Sequence, residues 1–174
     1  DKEVSMRKNK VDIITLGCSK NLVDSEQLMR QFAVNGYKVE HDPHKINGEI
    51  VVVNTCGFIG DAQEESIEMI LELGQAKKQG KIGKLFVMGC LSERFLHDLE
   101  KELPEVDRFY GKFNWKELIS DLGKAYHQEL AYDRILTTPK HYAYLKIGEG
   151  CNRTCSYCSI PIITAVSYTH LRAH

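Results

Sequence analysis

Val11-Asp12-Ile13-Ile14-Thr15-Leu16-Gly17-Cys18, Glu49-Ile50-Val51-Val52-Val53-Asn54-Thr55-Cys56 and Lys84-Leu85-Phe86-Val87-Met88-Gly89-Cys90 repeat one pattern, a short apolar run and then a turn that ends in a cysteine. Each run leads into helical periodicity: Leu22, Leu28, Met29, Phe32 and Ala33 after the first, Ile67, Ile70 and Leu71 after the second, Phe95, Leu96 and Leu99 after the third. Runs such as Ile50 to Val53 do not alternate polar and apolar residues, as expected of strands covered on both faces of a parallel sheet. The class is therefore α/β, a doubly wound, mainly parallel sheet with flanking helices.

The element ends carry their own signals. Asn35-Gly36 stops the first helix. Asp61-Ala62-Gln63-Glu64 opens the second, and Lys77 and Lys78 close it with the charge its C-terminal dipole favours. Pro104 ends the third. A short strand at 106–110 and a helix over 115–126 complete a domain of four or five strands. The connection from 127 to 140 lacks periodicity and contains Thr138-Pro139, which places the domain boundary there. Beyond it Tyr142-Ala143-Tyr144-Leu145-Lys146-Ile147 alternates as a strand and runs into Gly148-Glu149-Gly150-Cys151.

Composition narrows the function classes. The 174 residues carry 23 Lys+Arg against 24 Asp+Glu, so there is no global basic field and nucleic-acid binding is not expected. No apolar run approaches the ~20 residues of a membrane span. The charged N-terminus lacks a signal core, and Met6 before the basic run reads as the natural start; the expected location is cytoplasmic.

Six cysteines are too sparse in 174 residues for a disulfide scaffold. Cys18, Cys56 and Cys90 read equally well as inert core thiols or as one three-thiolate site. Ligands of open parallel sheets bind beyond the carboxyl ends of the strands, where all three stand, each before a helix whose N-terminus favours a thiolate. Cys151-Asn152-Arg153-Thr154-Cys155-Ser156-Tyr157-Cys158 is more specific: three thiolates within eight residues suit zinc or an iron–sulfur cluster. Structural zinc takes a fourth ligand, for which the nearest downstream histidine is His170, whereas a four-iron cluster on three cysteines keeps one iron open.

The triplet resembles the cluster motif of radical S-adenosylmethionine enzymes, in which the open iron chelates S-adenosylmethionine and cleaves it to a 5′-deoxyadenosyl radical. Tyr157 matches the aromatic position that lies near the adenine; as a residue alone it reads equally as a core aromatic. An α/β domain with one cysteine after each of three strands, followed by this triplet, is similar to the methylthiotransferase family. The strings Leu16-Gly17-Cys18-Ser19-Lys20-Asn21-Leu22-Val23-Asp24-Ser25-Glu26, Val53-Asn54-Thr55-Cys56-Gly57-Phe58-Ile59 and Gly148-Glu149-Gly150-Cys151-Asn152 resemble its RimO branch. That resemblance implies two four-iron clusters, one on Cys18, Cys56 and Cys90 and one on Cys151, Cys155 and Cys158. It also implies S-adenosylmethionine, a reducing protein such as flavodoxin or ferredoxin, and transfer of a methylthio group to the β-carbon of an aspartate in a small-subunit ribosomal protein.

The alternatives are the MiaB-like branch acting on adenosine in transfer RNA and a non-catalytic metal-binding module. Asp24, Ser25 and Glu26 read as helix-start residues and Lys20 as a solvated lysine. The expected division is 1–137 for the α/β domain, 138–163 for the start of a truncated radical domain and 164–174 for a non-native tail, because after Ile163 the family's pattern is lost. The chain by itself is expected to be inactive.

Overall fold

Val51, Val52 and Val53 are fully buried because the sheet is covered on both sides, which is why their run shows no alternation. The computed structural model describes residues 5–58, 60–151, 153, 155–164 and 168–169. In chain order the elements are β1 (Arg7–Thr15), α1 (Ser19–Val34), β2 (Lys38–His41), β3 (Gly48–Thr55), α2 (Gly60–Lys78), β4 (Lys84–Gly89), α3 (Cys90–Glu102), β5 (Arg108–Phe109), α4 (Glu117–Asp121), β6 (Gly148–Glu149), α5 (Ile160–Ile163) and β7 (Tyr168–Thr169). The first five strands form one sheet in the order β2-β1-β3-β4-β5, every pair parallel.

Side chains of each strand divide between two cores. Ile14, Val51, Val53, Leu85 and Val87 meet Ile70 and Leu73 of α2 and Leu91 and Leu99 of α3. Val11, Ile13, Ile50, Val52, Phe86 and Met88 point the other way, onto Leu28, Met29 and Phe32 of α1 and Leu118 and Ile119 of α4. Two helices thus cover each face, as a doubly wound sheet requires. The register pairs Thr15 with Asn54 and Thr55 with Gly89, so the carboxyl ends of β1, β3 and β4 lie level. Strand order reverses between β1 and β3, the place where open α/β sheets hold ligands.

Several boundaries differ from the sequence reading. β2 is an additional edge strand at Lys38–His41, too short to show a period. The helix expected over 115–126 is the short α4. Tyr142 to Ile147 is not a strand: Tyr142, Tyr144, Leu145 and Ile147 are exposed, and alternation without a neighbouring strand to pair does not make one. Pairing begins at Gly148–Glu149, antiparallel to Tyr168–Thr169. Of the expected tail over 164–174, residues 165–167 and 170–174 lie outside the described residues; the Thr164 N–H donates to Ile160 O at 2.7 Å.

Asp24, Ser25 and Glu26 are not helix-start residues. They lie beyond the first turn of α1, are buried, and spend their side chains on distant partners. Among the described residues no helix is long and apolar enough to cross a membrane.

Candidate metal centre

Three loops leave the level strand ends, and each begins or nearly begins with a cysteine. Cys18 is exposed and stands at the N-cap of α1 in extended conformation. Cys56 is buried just after β3, its N–H donating to Ser66 Oγ of α2 at 3.2 Å. Cys90 is buried as the first residue of α3. None of the six cysteines is in a disulfide.

Asn21 ties the three loops together. Its side-chain amide donates to Leu16 O at 3.0 Å and to Thr55 O at 2.9 Å, and its Oδ1 accepts from the Cys90 thiol at 3.9 Å. Asn54 completes the brace, its Nδ2 donating to Asn21 O at 2.8 Å and to Ser25 Oγ at 3.0 Å. Glycines let the loops touch: a Cβ on Gly17 would fall 2.8 Å from Cys56 Cβ, and one on Gly57 would fall 2.7 Å from the Cys90 carbonyl carbon. Their close approach serves the neighbouring cysteine loops themselves.

The thiols share one electrostatic neighbourhood. Burial pushes the Cys90 thiol up to about 11; Lys112 pulls it down, and negative charge at Cys56, Cys18 and Glu149 adds to the rise. Lys112 is itself buried between β5 and α4. Burial opposes its charge, yet Asp24, Cys90, Glu149 and Cys18 outweigh that and hold its ammonium above the ordinary range. Among the described residues no three Cys, His, Asp or Glu side chains stand at metal-holding geometry, so the thiols are neighbours without forming a closed shell. The donor chemistry nevertheless fits a thiophilic group: soft sulfur from three loops, a cation beside it and a buried Ser92 hydroxyl two residues after Cys90 that lacks a hydrogen-bond partner.

The second set follows Gly150, whose φ is +78°. Cys151 and Cys158 are half-buried and Cys155 is exposed; the Cys158 N–H donates to Cys155 O at 3.1 Å, closing a turn. Tyr157 is 91% exposed. Glu149, two residues before Cys151, acts through its charge on both Cys90 and Lys112. Beside Cys18 opens a cleft of about 370 Å³ lined in part by Thr15, His41, Asp42, Thr138, Tyr142 and Tyr144.

Sequence reasoning missed Asn21, Lys112, Lys146 and Glu149. Asn21 and Glu149 lie inside the quoted motifs, which is the one signal that could have drawn attention to them. Lys20, read as solvated, is half-exposed and stands 3.7 Å from Glu149.

The family model described as "Uncharacterized protein family UPF0004" matches residues 10–111, which include Cys18, Cys56, Cys90 and Asn21. The chain is 91% identical over 159 residues to a protein of Parabacteroides distasonis named ribosomal protein uS12 methylthiotransferase RimO. It is 72% identical to a protein of the same name from Porphyromonas gingivalis and 53% identical to one from Flavobacterium johnsoniae. Each match covers 91% of this chain and 37% of the relative, so the chain spans little more than a third of the length of these curated relatives.

Proposed function

The chain belongs to the UPF0004 family, and from its two cysteine sets together with its likeness to relatives named uS12 methylthiotransferase we propose that it is part of a radical S-adenosylmethionine methylthiotransferase that modifies an aspartate β-carbon of ribosomal protein uS12. The observation that carries the reading is the convergence of Cys18, Cys56 and Cys90 at the level ends of three parallel strands, braced by Asn21 and followed by the Cys151, Cys155 and Cys158 loop. The names of the relatives favour a ribosomal protein over transfer RNA as the substrate.

In this reading Cys18, Cys56 and Cys90 hold one four-iron cluster, and Cys151, Cys155 and Cys158 hold the second. When bound, the clusters would supply radical generation from S-adenosylmethionine and a thiophilic iron for the sulfur to be transferred, chemistry that an unactivated C–H bond demands. The protein's own side chains prepare the place. Asn21 fixes the spacing of the three loops, and Lys112 sets positive charge against the thiolates, which favours the deprotonated, ligating form of Cys90. Exposed Cys18 borders the cleft through which a substrate segment would approach. Exposed Tyr157 is assigned to the adenine of S-adenosylmethionine.

The division into an α/β domain over 1–137, the start of a radical domain over 138–163 and a non-native tail over 164–174 belongs to the same reading. So do a cytoplasmic location, a flavodoxin- or ferredoxin-like reductant, and the inactivity of this chain on its own. The test is anaerobic quantitation of iron and sulfide on the reconstituted chain beside Cys18→Ala and Cys155→Ala. About eight irons falling to about four in either variant is expected. Zinc with little iron would overturn the assignment.

A further inference from the structure

The segment 127–149 runs along α1 toward its N-terminus, and each contact falls nearer the cysteines than the last. Gln31 pairs with the His127 backbone, Arg30 Nε donates to Asp133 Oδ2 at 2.8 Å, and Glu26 accepts from the Thr137 N–H at 2.7 Å. The series ends in a cluster of buried charge. Lys146 Nζ stands 2.7 Å from both Asp24 Oδ1 and Glu149 Oε2, and Lys112 Nζ stands 3.6 Å from Asp24 Oδ2 and 3.5 Å from Glu149 Oε2. Asp24 comes from α1 and Lys112 from the segment after β5, whereas Lys146 and Glu149 come from the strap that carries Cys151.

We infer that Asp24, Lys112, Lys146 and Glu149 form a charged latch that seats the strap on α1 and so sets the Cys151–Cys158 loop against the strand ends bearing Cys18, Cys56 and Cys90. The four are positioning residues; only the purpose of the latch rests on the two-cluster reading. Two acids cross-link two lysines from separate elements, so removing Lys146 takes away the ion pair to Asp24 of α1, while Glu149 keeps Lys112 at 3.5 Å and the half-exposed Lys20 at 3.7 Å. The holds upstream, at Glu26, Arg30 and Gln31, remain.

The test is backbone hydrogen exchange on the metal-free full chain. Lys146→Met removes the strap's ion pair to Asp24 and leaves Glu149 on Lys112, with every residue of the five-stranded sheet and its helices unchanged. Exchange at Gly148–Glu149, the part of this stretch whose backbone is paired, should rise at least tenfold while residues 50–55 of β3 keep their protection. Asp24→Asn should produce the same local rise, the double variant should add little to either, and Lys146→Arg should restore much of the protection. Unchanged exchange at Gly148–Glu149, or an equal rise in β3, would overturn the latch. In the iron-loaded chain, spin coupling between the two reduced centres should weaken in Lys146→Met at constant iron content, and coupling that persists unaltered would show that the strap still seats its loop. Should iron fail to load at all, the two-cluster reading falls while the exchange experiment still decides the latch.

Discussion

Gly89 is the last residue of β4 and directly precedes Cys90, with φ +105° and ψ −159°, a region that residues other than glycine scarcely enter. In Gly89→Ala two penalties add. Backbone strain in that region costs about 1–3 kcal/mol. The new Cβ would also lie 2.6 Å from Asn54 Oδ1, 2.6 Å from Thr55 O and 2.9 Å from Thr55 N. Two of those three atoms are backbone of the neighbouring strand, which cannot rotate aside, so overpacking contributes about 1–3 kcal/mol more. The sum is about 4 kcal/mol, a large share of the stability of a domain this size. Gly36 supplies the control: its φ is +88°, but a Cβ there would meet nothing within 4 Å, so Gly36→Ala costs only the conformational penalty of about 1–2 kcal/mol. Urea unfolding of the metal-free chain and both variants measures the difference, and alkylation of Cys90 shows whether its loop has shifted. A Gly89→Ala variant no less stable than Gly36→Ala would refute the claim that β3 and β4 are packed to contact at the base of the site.

Asn21→Ala removes the donor to two buried carbonyls, Leu16 O and Thr55 O, and should cost about 2–3 kcal/mol; faster alkylation of Cys56 in the folded variant, read by mass spectrometry, checks that the brace is what holds the loops. The hydrogen bond from Lys10 holds the Glu40 carboxyl below its ordinary range, so its folded pKa lies under the unfolded one. That contribution is present above about pH 4.3 and is lost as pH falls through the folded value, and a Glu40→Gln variant should show a flatter acid limb in melting temperature measured from about pH 6 down to about pH 3.

The sheet and the cysteines were legible because each is written in local sequence. An unbroken run such as Ile50 to Val53 can hide only in a strand covered on both faces, and a cysteine after each such run must come to the same end of a parallel sheet. What was not legible depends on distant partners. Asp24 looks like a helix-start acid because sequence shows its neighbours at 23 and 25 and not Lys146, which meets it across 122 positions. Asn21 resembles any polar residue of a first helical turn until the ends of β1 and β3 place Leu16 O and Thr55 O beside it. Tyr142 to Ile147 misled for the converse reason, since alternation describes what a strand would bury and the segment lies along α1 with its aromatic rings exposed.

The latch is difficult to explain as a device for stability. At an effective dielectric of about 20, two unit charges 3.5 Å apart attract by roughly 5 kcal/mol, and removing each ion from water costs several kcal/mol. Three buried charges and the partly buried Lys146 therefore come near to cancelling, and an apolar set of the same volume would hold the strap about as firmly. What apolar contacts lack is direction. Leucines at 24, 112, 146 and 149 would tolerate sliding along α1, whereas Asp24 and Glu149 are each shared between Lys112 and Lys146, which belong to different elements, with Lys20 a third partner of Glu149, and a displacement of one residue would leave buried charges unpaired at a cost of about 3–5 kcal/mol. Such a cluster contributes register more than strength. Register is what the segment before Cys151 requires if its thiols are to face the three at the strand ends, and Lys112, which joins the latch while standing beside Cys90, links the two requirements in a single side chain.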